Sequence, residues 1–172
     1  MHQTEEELLV LAAQDGSDRA FSLLFHRYQK ALLRYGFKVS GDGEIAQDAV
    51  QDAWLKLAKN IRRLDDPRAF KSWIYQLVHW SCIDLLRATK HSKLYQDLSD
   101  DIVVTSDRAN EQDDLLSVAI SRLPGPEKQM IHLVYLEELS VKEVAKVLKI
   151  SEGTVKSRLN RARRLLKERF YL

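Results

Sequence analysis

LSVKEVAKVLKISEGTVKSRLNRAR, running from Leu139 to Arg163, holds a helix start, a helix stop and a second helix start in one stretch. Ser140 followed by Glu143 has the capping-box pattern, so a short helix is predicted over Val141–Leu148. KISE serves as the turn and a second helix is predicted from Gly153 onward, the spacing of a helix-turn-helix. At about 100° per residue, Val155, Leu159, Ala162 and Leu166 fall on one narrow stripe, which is expected to pack on the preceding helix. Opposite it lie Gly153, Ser157, Asn160, Arg161 and Arg164, flanked by Thr154, Lys156 and Arg158.

That outer face has the chemistry of a DNA reader. A bare glycine and short polar side chains near a helix N-terminus can approach base edges, while arginine and lysine neutralise phosphates. Residues 151–172 hold seven of the 27 lysines and arginines but only Glu152 and Glu168, a local +5, so the rest of the chain is net −3. Charge by itself favours a solvated amphipathic helix. A capped first helix, a turn of the right length, Gly-Thr at the outward start and an arginine-rich outer face occur together, and the combination favours DNA.

Working outward, 172 residues with 45% hydrophobic and 30% charged content suit one or two compact helical domains. The apolar runs are short and the opening MHQTEEELLVLAAQDG is acidic, so neither export nor membrane insertion is expected, and the expected location is the cytoplasm. The single cysteine, Cys82, excludes an internal disulfide, has no neighbours for a metal site and reads as a small buried residue. With no glycine-rich phosphate loop, nucleophile-base motif or metal-ligand cluster, no enzyme, cofactor or metal is expected. His91–Leu116 carries seven acids against Lys93 and Arg108 with weak periodicity, a linker signature. The expected organisation is therefore a helical domain over 1–90, a linker over 91–112 and a second helical domain over 113–172.

The first domain reads as helices throughout, with no strand and no internal repeat, so the fold class is all-α. Thr4 with Glu7 suggests a capped first helix; a second is predicted over Asp18–Lys38, ended by VSGDG, and a third over Glu44–Asn60. IRRLDD forms a loop, and Pro67 opens a fourth helix to about Thr89. On the third helix Ala46, Ala49, Val50, Ala53 and Leu57 form a buried side, whereas Glu44, Asp48, Gln51, Asp52 and Leu55 face outward. Neighbouring carboxylates repel along a helix, so this face is either a solvated acidic surface or a match for a basic partner. On the fourth helix Phe70, Trp73, Ile74, Leu77 and Leu85 read as core, and Gln76, His79, Trp80, Ile83 and Arg87 as the other side. An aromatic beside amide and basic groups suits unstacked bases.

LSVKEVAKVLKISEGTVKSRLNRAR resembles the C-terminal promoter-binding region of bacterial RNA polymerase sigma factors, although response-regulator output domains share a related helix-turn-helix. The order DRAFSLLFHRYQKALLRYGF, DGEIAQDAVQDAWLKL, DDPRAFKSWIYQLVHWSCIDLLR, linker and helix-turn-helix resembles an extracytoplasmic-function sigma factor over most of the chain. The resemblance implies two helical domains, regions 2 and 4, without a middle domain. It implies that Glu44, Asp48, Gln51, Asp52 and Leu55 dock on the clamp helices of the polymerase's largest subunit, and that the acidic linker threads toward the RNA channel. It implies that Gln76, His79 and Trp80 lie near the upstream edge of the −10 element, with Trp80 where the family commonly has Asn. The loop Asn60–Asp66 would receive a flipped base of the non-template strand, and region 4 would read the −35 element. The implied partners are core RNA polymerase, promoter DNA and an anti-sigma factor. The alternative is a sigma-like decoy that binds an anti-sigma factor without reading DNA. Glu138 and Lys149 stand where the family often has Gly, and a left-handed turn there costs a non-Gly residue roughly 1 kcal/mol.

Overall fold

The computed structural model describes residues 2–95 and 114–171, and every regular element among them is helical. The chain divides into two compact units, Met1–His91 and Ser92–Leu172. Of the expected linker, residues 96–112 lie outside the described residues.

The N-terminal unit is a bundle of α1 (His2–Gln14), α2 (Asp18–Ser40), α3 (Gly43–Asn60) and α4 (Phe70–Tyr95). Its boundaries follow from local chemistry. Ser17 caps α2 by accepting the Ala20 N–H at 3.2 Å. VSGDG then acts as stop and start together: Gly41 adopts φ 68° and donates to the Phe37 carbonyl, and Asp42 accepts the Glu44 and Ile45 amides. The expected capping box at Thr4 is not used, because α1 begins at His2 and places Thr4 inside the helix. IRRLDD is not featureless loop but a 3-10 turn over Ile61–Arg63; a second follows at Pro67–Ala69, capped by Asp66, and leads into α4. The fourth helix runs to Tyr95, past the expected end near Thr89.

The anticipated inner side of α3 is buried as expected: Ala46, Ala49, Val50, Ala53 and Leu57 are each 2% exposed or less. Gly36 explains how close α2 comes, since a Cβ there would sit 3.3 Å from the Ala46 Cβ. On α4 the buried arc differs from the expected stripe. Phe70 and Ile74 are in the core, but Trp73, Leu77 and Leu85 are only half-buried, while Tyr75, Val78, His79 and Cys82 are enclosed. Tyr35 packs against Tyr75 and His79, so α4 is covered over a broader, rotated arc than a single amphipathic stripe provides. Cys82 is fully buried with its thiol pKa pushed up to about 12 by desolvation, consistent with a packing role.

The C-terminal unit contains α5 (Asp114–Ser121), α6 (Gly125–Ile131), α7 (Val141–Leu148) and α8 (Glu152–Tyr171). After α6 the chain widens into one π turn, His132–Leu136, where Glu137 N–H reaches the His132 carbonyl at 3.1 Å. This brings the buried Glu137 carboxylate 2.9 Å from His132 Nε2. The capping box at Ser140 and Glu143 is fully formed: Ser140 N–H donates to Glu143 at 2.7 Å and Glu143 N–H to Ser140 at 3.2 Å. Glu138 and Lys149 both have φ 55°, so the two positions expected to need a left-handed backbone adopt one. Lys149 ends α7 with the Ile150 N–H returning to the Ala145 carbonyl, the bond of a Schellman motif. Val155, Leu159 and Ala162 are buried as expected, and Leu166 is half-buried.

Candidate functional site

Most of the residues singled out in the sequence lie on two surfaces, one on each unit. On the C-terminal unit α8 exposes Gly153, Lys156, Ser157, Asn160, Arg161 and Arg164, with Thr154 and Arg158 half-buried beside them. Nothing in the fold requires glycine at 153, since the nearest atom to a Cβ there is Ser151 Oγ at 3.9 Å. The space beside it is open. Ser151 caps α8 by accepting the Thr154 N–H at 3.1 Å, and its Oγ lies 2.8 Å from Thr154 Oγ1. Ser157 donates its hydroxyl to the Gly153 carbonyl at 3.0 Å, leaving its oxygen as an acceptor.

The basic residues of α8 divide into two groups that the sequence does not distinguish. Arg163 donates to the Tyr135 hydroxyl at 2.7 Å, and Arg169 donates to the carbonyls of Ala119 and Arg122 at 3.2 and 3.1 Å. Arg161 stands 3.6 Å from the buried carboxylate of Glu127 while keeping its own side chain 60% exposed. These three tie the helix to its own unit. Among the described residues no ion pair holds Lys156, Arg158, Arg164 or Lys167, and their charge remains for an external anion.

On the N-terminal unit, Glu44, Asp48, Gln51 and Leu55 are exposed along α3, with Leu55 58% exposed. Asp52 is different. It accepts from Ser81 Oγ at 2.5 Å and pairs with Lys56 at 2.9 Å, joining α3 to α4. The Ser81 hydrogen bond, opposed by partial burial and helped by Lys56, holds its carboxyl below the ordinary value. An open groove of about 570 Å³ adjoins this face, lined by Phe21, Phe25, Trp54 and Leu55 with Gln47 and Gln51 among its polar members. Phe21 and Phe25 meet the Trp54 ring at 5.8 and 5.2 Å, and Trp54 Nε1 donates to Gln29 at 2.8 Å. Sequence reading missed this groove; the signal was Phe21 and Phe25 recurring one helical turn apart on α2.

Of the three residues expected near unstacked bases, Gln76 and Trp80 are partly exposed on α4. His79 is a correction. It is 5% exposed, its Nδ1 lies 2.8 Å from the Tyr35 hydroxyl, and desolvation pushes its pKa down to about 4. A neutral, enclosed imidazole packs the core and cannot meet a phosphate or base without unpacking. Among the described residues there is no cluster of groups suited to a metal ion and no helix long and apolar enough to cross a membrane.

Comparison with known proteins gives each unit a family match. Residues 24–92 match the model of Sigma-70 region 2, and residues 113–166 match that of Sigma-70, region 4. The chain is 31% identical over 164 residues to the ECF RNA polymerase sigma factor SigM of Mycobacterium tuberculosis, covering 94% of this chain and 83% of that one. It is 27% identical over 172 residues to the ECF RNA polymerase sigma factor SigW of Bacillus subtilis, covering 89% and 90%. The solved sigma factor RpoE of Bartonella quintana, in complex with the anti-sigma factor NepR, shares the fold with a TM-score of 0.71 at 20% identity, covering 88% of this chain and 97% of that one. The chain belongs to the extracytoplasmic-function family of RNA polymerase sigma factors.

Proposed function

We propose that this sigma factor binds core RNA polymerase through the exposed acidic and apolar face of α3 and directs it to promoters that region 4 recognises through α8. One observation carries the reading: Glu44, Asp48, Gln51 and Leu55 are presented outward on one unit, and an unpaired group of basic side chains stands beside Gly153 and Asn160 on the other. An anionic surface with an exposed leucine suits a basic protein partner, whereas the α8 face suits DNA. In this division of labour Gly153, Ser157 and Asn160 approach bases, and Lys156, Arg158 and Arg164 mainly contact phosphates. Thr154, held by the capping Ser151, stands beside the bases, and Arg161 serves both its own unit and DNA. Gln76 and Trp80 lie along the −10 element, and the Asn60–Asp66 loop receives an extruded base of the non-template strand.

Initiation requires no catalytic group in this chain, because bond formation belongs to the polymerase. The site of action is the cytoplasm, where bacterial polymerase works. The complex of RpoE with an anti-sigma factor supports an anti-sigma factor as a third partner. The Phe21, Phe25, Trp54 groove is continuous with the docking face through Gln51 and Leu55 and extends it.

Transcription from a panel of genomic fragments with purified core polymerase tests the reading. A sigma factor gives discrete start sites that depend on its addition. A decoy that only sequesters an anti-sigma factor gives none, and that result would overturn the proposal.

A further inference from the structure

We infer that Gln14 is a positioning residue for −10 recognition, because it fixes the shape of the Asn60–Asp66 loop; this rests on the role proposed for that loop. The loop begins with the 3-10 turn Ile61–Arg63, closed by the Leu64 N–H donating to the Ile61 carbonyl at 3.2 Å. Gln14, the last residue of α1, reaches the same turn from the opposite end of the unit's sequence. Its side-chain amide donates to the Ile61 carbonyl at 2.8 Å and to the Leu64 carbonyl at 2.7 Å. A primary amide has two N–H bonds, so one side chain satisfies the carbonyls at both ends of the turn.

The surroundings make this a clamp on the loop. Ile61 is buried at 5% exposure, whereas Arg62, Arg63 and Asp65 are exposed. Gly16 follows at φ 94°, and a Cβ on it would lie 3.9 Å from Arg62 Nη2. The anchored side of the loop is thus held by Ile61 and Gln14, and its charged side chains are presented outward. A single 3-10 turn has little stability of its own. A loop that takes up one extruded base must also offset a few kcal/mol of unstacking, so a preformed shape raises affinity by avoiding further ordering. Gln14 lies before residue 24, where the match to Sigma-70 region 2 begins, so that match assigns it nothing.

The test uses holoenzyme assembled from the full chain and core polymerase. A −10 sequence is first selected from a random single-stranded pool with the wild-type protein. Affinity is then measured for fork-junction DNA carrying either the selected base or an abasic site at the extruded position. Gln14→Glu turns carboxylate oxygens toward the two carbonyls, and Gln14→Ala removes the clamp with less disturbance. Both are expected to reduce discrimination between the two forks about tenfold, while affinity for the abasic fork is retained. Wild-type discrimination in both variants overturns the inference. So does an equal loss on the two forks, which is what a purely structural staple would produce. Arg62→Ala with Arg63→Ala separates the levels. If this loop variant also discriminates normally, the loop's assigned role fails and the inference with it; if only the Gln14 variants discriminate normally, the loop's role stands and the clamp alone is refuted.

Discussion

His79 is expected to make the N-terminal unit acid-sensitive, by an amount that follows from its burial. In the folded chain desolvation lowers its pKa from 6.5 to about 4. The unfolded chain therefore takes up the proton more readily, so the stabilisation is fully present above about pH 6.5 and is lost as pH falls toward about 4. Linkage over these two pKa values gives a loss of about 2 kcal/mol between about pH 7.5 and pH 5, approaching 3 kcal/mol at about pH 4. That is a large part of the roughly 5–15 kcal/mol that holds a typical domain. The depressed carboxyl of Asp52 also makes stability acid-labile, but only below the ordinary carboxylate range of about 4, so the two windows separate. All three tryptophans, Trp54, Trp73 and Trp80, lie in this unit, and the Trp80 ring meets His79 edge-on at 5.1 Å. Urea unfolding followed by tryptophan fluorescence thus reports on the right half of the molecule. The midpoint should fall on going from about pH 7.5 to pH 5, and His79→Gln should flatten that dependence. An imidazole resonance of His79 titrating near its ordinary value, or an unchanged pH dependence in His79→Gln, would refute the reasoning.

Three further outcomes are expected. Lys149→Gly should stabilise the C-terminal unit by up to about 0.5 kcal/mol, the relief of a left-handed non-Gly residue less the backbone entropy of glycine; circular dichroism should register it while tryptophan fluorescence does not, and a loss of stability would show that the Lys149 side chain compensates. Arg164→Ala should weaken −35 DNA binding and reduce the salt slope by about one contact without loss of stability. Arg161→Ala should do both, because it also leaves the buried Glu127 carboxylate without its nearby cation; a wild-type slope in Arg164→Ala would contradict its phosphate contact. Glu44→Lys with Asp48→Lys should impair holoenzyme formation and leave the unfolding midpoint near wild type, whereas normal assembly would defeat the docking role. Asp52 is left out of that pair because its bond to Ser81 would confound binding with folding.

The boundaries most legible in the sequence were those set by a local hydrogen bond or a backbone preference. Ser140 with Glu143, Gly41 with Asp42, and the left-handed positions Glu138 and Lys149 all act within a few residues. The same locality misled at Thr4, where the capping pattern is present but helix already begins at His2. Side-chain periodicity was sufficient for α3 and α8, each with a well-defined apolar side. It was insufficient for α4. A helix packed over a wide arc buries polar residues as well, and only the position of Tyr35 shows that His79 belongs inside.

The amino-acid order alone determined an all-α chain, two helical units around an acidic segment, a helix-turn-helix and an outward acidic face on α3. These properties depend on spacing along single helices. Tertiary structure decided which basic residues of α8 are tied to Glu127, Tyr135 and the Ala119 and Arg122 carbonyls, that Asp52 joins α3 to α4, and that Gln14 holds a turn 47 residues away. Such pairings depend on distances between helices, and no periodicity within one helix contains them.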